Sequence, residues 1–113
     1  MSYNVSEYVR AKNLHEQGLH DGALEILEFH LVDKPNDFQS QELMGIVLHS
    51  LARFTRAHGA LQIAQRAREL TPEGRLALAD CKLFVGDKSL ARELYRAVAL
   101  LADLPDNLLP GLA

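Results

Sequence analysis

Apolar side chains recur every three or four positions along almost the whole chain, as they do on one face of an α-helix. The stretch that contains Leu24, Leu27 and Leu31 has this spacing, and it returns in the segments 43–51, 57–70, 76–85 and 90–101. No segment alternates apolar and polar residues over the length of a strand, and β-branched residues are few. The pattern predicts an all-α protein.

Helix-breaking residues separate the periodic segments. They are Gly18 and Gly22, and the stretches DKPND at 33–37, TPEG at 71–74, GDK at 86–88 and LPD at 104–106. Their positions predict six helices of roughly 12–15 residues, joined by short turns. Because short turns make neighbouring helices antiparallel, the helices are expected to form hairpins.

The sequence also repeats with a period of 34 residues. When it is shifted by that interval without gaps, small residues coincide at Ala11, Gly45 and Ala79, at Gly18, Ala52 and Gly86, and at Ala23, Ala57 and Ala91. Large residues coincide at Leu27, Leu61 and Tyr95. Small residues are expected where two helices approach closely, and large ones where space must be filled.

This pattern resembles the tetratricopeptide repeat (TPR), a family built from 34-residue helical hairpins. The resemblance implies a right-handed α-α superhelix of three stacked hairpins, a TPR-like solenoid that forms one domain over residues 1–113. Its units would span about 4–37, 38–71 and 72–105. Residues 106–113 would be a tail or the start of a truncated fourth unit. The alternative is a six-helix bundle in which Ala and Leu coincide by chance.

Two of the three units depart from the family's closing proline, which Pro35 supplies in the first unit. In the second unit Glu69 takes that position and Pro72 follows three residues later, so the second helix of this unit is expected to run about one turn longer. In the third unit Asp103 takes the position, and Pro105 lies just beyond it.

In this family the first helix of each hairpin lines a concave face that binds a peptide or helix of a partner protein. By the family's groove positions, the partner-binding residues here would be Tyr8, Lys12, His15, Glu42, Ile46, His49, Asp80, Leu83 and Phe84. Their mixed apolar and acidic character would suit a segment with apolar anchors and a few basic residues. The alternative is that these side chains are core residues or unoccupied surface.

The family's carboxylate clamp, which holds the C-terminal acid of a peptide, is not expected in this chain. The residues at the matching positions are Tyr8, Lys12, Leu43, Glu73 and Ala77. Only Lys12 is a cation.

Composition and charge narrow the choice of partners and compartment. The formal net charge of −3 gives no reason to expect nucleic acid or an anionic membrane as partner. The chain has no apolar signal core, no stretch long enough to cross a membrane, and a single cysteine, Cys81. These features predict a cytoplasmic protein, and the resemblance to TPR proteins implies that its ligand is another protein or a peptide.

The sequence gives no pattern typical of a catalytic, cofactor or metal site. There are five histidines, but no HExxH motif, no cysteine pair and no calcium-binding loop. His30 is expected to be packed and hydrogen-bonded, and Cys81 is expected to be a buried, inert thiol. We therefore expect neither enzyme activity nor a bound cofactor or metal.

Other roles fit the same sequence. The chain could be a small TPR-type chaperone of a secreted or assembly subunit, or an N-terminal accessory module of a larger enzyme or scaffold. It could also form homo-oligomers through its C-terminal end. That end contains Leu104, Leu108, Leu109 and Leu112, and among the nine residues from position 105 only Asp106 is charged.

Overall fold

The computed structural model of the chain describes residues 6–86 and 88–102, apart from the side chains at positions 88, 90, 91, 101 and 102. This part is all-helical, as the apolar period predicts, and contains no β-strand. Its helices are α1 (Glu7–Glu16), α2 (His20–Asp33), α3 (Phe38–Ser50), α4 (Phe54–Ala67), α5 (Pro72–Phe84) and α6 (Lys88–Ala102). The apolar tail after position 104 lies outside the described residues.

The helices pack in sequential pairs. The most extensive contacts join α1 to α2, α3 to α4, and α5 to α6. Neighbouring pairs meet through α2 and α3 and through α4 and α5, and α3 also contacts α1 and α5. Helix α3 is therefore the central helix of the described part.

The core lies between the paired helices, and its small residues allow them to approach closely. Ala11, Ala23 and Ala57 are fully buried, while the side chain of Ala91 is outside the described set. At Gly45 an added Cβ would lie 2.5 Å from the Cγ of Leu61, so α3 and α4 are too close there for any larger residue.

The turns inside the three pairs share one backbone conformation. Gly18, Ala52 and Gly86 have φ values of 81°, 59° and 96°, in the left-handed region. In each turn the N–H of this residue donates to the carbonyl three positions earlier. Because a Cβ makes this conformation costly, glycine suits two of the turns, and Ala52 carries backbone strain.

Side-chain caps begin the first helix of each pair. Ser6, Asp37 and Thr71 accept hydrogen bonds from the backbone N–H groups of the first turns of α1, α3 and α5. Such caps satisfy donors that have no partner within the helix. The second helices α2 and α4 begin at tight turns and have no side-chain cap.

The expectation of a longer second helix in the second unit is wrong. Helix α4 has 14 residues, the same as α2. The chain becomes extended at Arg68, and Leu70 is buried in the core. Thr71 is also extended, as expected for a residue that caps a helix and precedes a proline. The additional residues therefore form a connection rather than another helical turn.

Candidate functional site: a pocket between α1, α3 and the start of α5

A pocket of about 660 Å³ lies between α1, α3 and the first residues of α5. Five of the nine residues predicted to bind a partner line it together: Tyr8, Lys12, His15, Glu42 and Ile46. The remainder of its wall is formed by Glu16, Gln39, Leu43, Thr71, Pro72 and Glu73. The groove positions of the TPR family implied these five residues, but not the contribution of Thr71 and Pro72 at the start of α5.

Glu42 holds the start of α5 against α3. Its side chain is only 5% exposed. Its Oε2 accepts hydrogen bonds from the backbone N–H of Thr71 at 2.8 Å and from the Thr71 hydroxyl at 2.7 Å. A side chain at Gly74 would collide with this carboxylate. Glu42 is thus a structural residue as well as part of the pocket wall.

Ile46 belongs to the pocket wall and to the hydrophobic core at once. It is 7% exposed and packs within the main cluster of buried residues. A charged substitution at this position would therefore destabilise the fold. A substitution of Ile46 is therefore no test of binding, whereas a substitution of Lys12, which is exposed on α1, is one.

His15 lies on the pocket wall between two polar neighbours. Its Nδ1 is 2.9 Å from Nδ1 of His20, and its Nε2 is 3.7 Å from Oε1 of Glu73. At this separation one of the two Nδ1 atoms donates and the other accepts, so only one of the two rings carries its proton on Nδ1. Sequence reasoning missed His20, because its contact with His15 depends on the tight turn at Gly18.

His49 and Asp80 are bonded to each other. His49 Nε2 lies 2.6 Å from Asp80 Oδ2, and the hydroxyl of Tyr95 donates to Asp80 Oδ1. Burial disfavours the charged carboxylate, but the bonds from His49 and Tyr95 outweigh this and hold the pKa of Asp80 below its ordinary value. Burial and the nearby Asp80 carboxylate raise the pKa of Tyr95. These three residues join α3, α5 and α6.

Phe84 presents an aromatic ring to solvent near this group. It is 64% exposed, and its ring centroid lies 5.0 Å from that of Phe54. The Phe54 ring in turn meets His49 edge-on at 5.8 Å. Leu83 is half-buried against the contact of α5 with α6. Phe54 begins a second helix, so a search restricted to first helices could not find it.

His30 and Cys81, the two side chains expected to be structural, are both packed within the fold. His30 Nε2 lies 2.7 Å from Oδ2 of Asp37, which confirms a packed, hydrogen-bonded histidine. Burial opposes ionisation of Asp37, but hydrogen bonds from His30 and Ser40 lower its pKa overall. Cys81 is fully buried, and burial raises its pKa to about 11, so the thiol is not reactive near neutral pH.

Within the described residues, no group of three or more His, Cys, Asp or Glu side chains is arranged to hold a metal ion. None of the described helices combines the length and the apolar character needed to cross a lipid bilayer. No protein-family model matches the chain, and a search of curated proteins gives no match.

Proposed function

We propose that this chain is a non-enzymatic, TPR-like protein-binding module. In this proposal its three helical pairs stack as a right-handed solenoid, and a peptide or helix of a partner protein binds along α1, α3 and α5. The observation that carries the proposal is the pocket, because it is lined by α1, α3 and the start of α5, the first helices of the three pairs, which line the binding face in the TPR family.

Two features of the fold support the repeat. Residues 34 positions apart, Gly18, Ala52 and Gly86, share a left-handed backbone in equivalent turns. The first helices are also in contact, since α3 touches both α1 and α5. Such contacts are what a stack of hairpins requires if its first helices are to form one continuous face.

The pocket suits part of a polypeptide. Its volume lies within the range of roughly 300–1,000 Å³ that is typical of ligand sites in proteins. Tyr8, Leu43 and Ile46 supply apolar wall, and Lys12 and Glu73 supply charge. Phe84 adds an exposed aromatic ring on α5 that could anchor a longer segment.

A peptide library displayed on phage and selected on the immobilised full chain tests this proposal. Enriched peptides should bind the Phe84→Asp and Lys12→Glu variants about tenfold more weakly than the unmodified chain, because each variant removes an anchor or reverses a charge on the proposed face. Affinity can be measured by fluorescence polarisation, and circular dichroism checks that each variant is folded.

Phe29→Asp is the matched control. Phe29 is 77% exposed, comparable with Phe84, but lies on α2 away from the proposed binding face. Peptides should bind this variant as they bind the unmodified chain. If Phe29→Asp weakens binding as much as Phe84→Asp does, or if no peptide is enriched, the proposed binding face is wrong.

A further inference from the structure

We infer that the chain forms a weak two-fold dimer in which α2 of each copy packs on α4 of the other. The inference does not depend on peptide binding, because neither helix lines the pocket. It follows from exposed apolar side chains on α2, from the opposite charges of α2 and α4, and from an open glycine on α4.

Helix α2 exposes two apolar side chains beside each other. Phe29 is 77% exposed and Val32 is 79% exposed, and they lie three positions apart on one face of the helix. Glu28 lies four positions before Val32, and its carboxylate pairs with Arg56 of α4 at 2.7 Å. Both partners of this ion pair are about half-exposed, so the exposed sides of α2 and α4 adjoin. We call this combined surface the α2–α4 face.

The two halves of the α2–α4 face carry opposite charge. Helix α2 contains no Lys or Arg, and it has four exposed carboxylates, at Asp21, Glu25, Glu28 and Asp33. Helix α4 contains no Asp or Glu. It contributes the exposed Arg56 and Arg66, and the exposed Arg53 immediately precedes it. The face is therefore acidic on α2 and basic on α4.

This arrangement favours a second copy of the chain as the partner. In a two-fold dimer both copies contribute the same surface, so the acidic α2 of each copy can meet the basic α4 of the other. Packing α2 on α2 would instead bring like charges together. The charges therefore select the pairing of α2 with α4 in both halves of the dimer.

Gly59 leaves room on α4 for a side chain of the second copy. It lies inside the helix, where glycine is unfavourable, and among the described residues a Cβ placed there would meet open space. Arg56, Ile63 and Arg66 lie three, four and seven positions away, so they border this gap on the same side of the helix. A Phe29 ring over Gly59 would contact Ile63 and lie against a guanidinium group.

The size of the α2–α4 face predicts a weak dimer. Each of the two helices has 14 residues. At about 1.5 Å per residue and about 10 Å between helix axes, they present roughly 400 Å² in projection. Two such faces bury roughly 800 Å², less than the roughly 1,200 Å² at which stable interfaces begin. We therefore expect a dissociation constant of roughly 10–100 μM.

The test is sedimentation equilibrium of the full chain from about 5 to 500 μM, a range that brackets this dissociation constant. The chain should show a reversible equilibrium between monomer and dimer. Raising sodium chloride from about 50 to 500 mM should weaken the dimer about tenfold, because salt screens the charges that face each other. A monomer over the whole range, or a dimer whose affinity does not change with salt, would overturn the inference.

Two matched variants locate the interface. Phe29→Ala should weaken dimerisation at least about tenfold, because it removes the apolar anchor on α2. Phe84→Ala is the control, since Phe84 is also exposed but lies on α5. It should dimerise as the unmodified chain does. If Phe84→Ala loses the dimer and Phe29→Ala retains it, the copies meet elsewhere and the α2–α4 face is not the interface.

Gly59→Gln separates the interface from any structural role of the glycine. Glutamine favours a helix more than glycine does, so the urea midpoint of the monomer should not fall. Its side chain fills the gap on α4, so dimerisation should weaken about tenfold. An unchanged dimer in this variant would show that the second copy does not occupy the gap.

A charge exchange tests the pairing of α2 with α4. Glu25→Arg and Arg66→Glu should each weaken the dimer, because each brings like charges together across the interface. The double variant restores opposite charges and should dimerise more tightly than either single variant. A double variant that dimerises more weakly than both would contradict this pairing.

Discussion

Helix α3 meets α5 at two places that use similar groups in different ways. At the first place, the pocket end, Glu42 lines the pocket and accepts two hydrogen bonds from Thr71 at Oε2, and its Oε1 lies 3.9 Å from Nη2 of Arg68. At the second place, the histidine end, Nε2 of His49 lies 2.6 Å from Oδ2 of Asp80, and the hydroxyl of Tyr95 donates a hydrogen bond to Oδ1 of Asp80. A partly buried carboxylate with both oxygens occupied joins helices.

The two ends also differ in whether the groups bonded to the carboxylate could find another hydrogen-bond partner if it were removed. Tyr95 is fully buried, so its hydroxyl depends on Asp80 for an acceptor. Thr71 is exposed, so water can replace Glu42 as a partner for its N–H and hydroxyl groups. The histidine end should therefore contribute more to stability, and the pocket end more to binding.

The largest expected effect is at the histidine end. Asp80→Ala should lower the free energy of unfolding by about 2–3 kcal/mol, because it leaves the buried Tyr95 hydroxyl without an acceptor. Urea unfolding followed by circular dichroism measures this. The double variant Asp80→Ala with Tyr95→Phe should be more stable than Asp80→Ala alone, since it removes both polar partners.

The same measurement at the pocket end should give a smaller effect. Glu42→Gln retains an acceptor for Thr71 and nearly the same volume, so its cost should be below about 1 kcal/mol. If Glu42→Gln destabilises the chain as much as Asp80→Ala does, the pocket end is the main link between the two helices, and the comparison is wrong.

The next largest effect is expected from acidification, which should reduce the contribution of Asp80 to the free energy of unfolding. The pKa of Asp80 in the folded chain is below its ordinary value of 3.8, so the unfolded chain takes up a proton first as the pH falls. The resulting stability is present above about pH 4 and is lost as the pH falls through the lowered pKa. Asp37, also with a lowered pKa, contributes in the same direction.

A pH series of urea unfolding curves checks this expectation. The free energy of unfolding should decline below about pH 4, and it should decline less steeply in Asp80→Asn, which cannot ionise at this position. Asp37→Asn should reduce the slope independently, since His30 and Ser40, not His49 and Tyr95, bond that carboxylate. An unchanged slope in Asp80→Asn would mean that the His49–Asp80 contact does not stabilise the fold.

The fold was more predictable from the sequence than the side-chain contacts were. The apolar period identified the helices and buried positions such as Ala23 and Leu61, because both depend on local spacing. Partners such as Thr71 for Glu42 lie 29 residues away and depend on how separate pairs pack. The resemblance to TPR proteins assigned Glu42 and Asp80 to one face without indicating that Thr71 bonds the first, and that His49 and Tyr95 bond the second.

The length of α4 illustrates a second limit. A proline displaced along the sequence suggested a longer helix, but Pro72 begins α5 and Thr71 caps it. The same residues can therefore extend one helix or start the next. In this chain they start the next helix, where Thr71 accepts a hydrogen bond from the N–H of Gly74 and also bonds Glu42 of α3.

The smallest expected effect concerns the turn that follows the histidine end. Ala52 has φ 59° and donates its N–H to the carbonyl of His49, whereas Gly18 and Gly86 occupy the same conformation as glycines. Glycine at position 52 would relieve strain of about 1 kcal/mol, partly offset by the greater freedom of the unfolded chain.

Ala52→Gly should therefore raise the free energy of unfolding by about 0.5 kcal/mol, and urea unfolding can resolve it. Gly18→Ala is the reverse control. It has open space for a Cβ, so its expected loss of about 1 kcal/mol comes from backbone strain alone. A loss of stability in Ala52→Gly would mean that the alanine methyl group contributes more at this turn than its backbone strain costs. The exposure of Ala52 argues against that outcome, because a methyl group in water has little packing to lose.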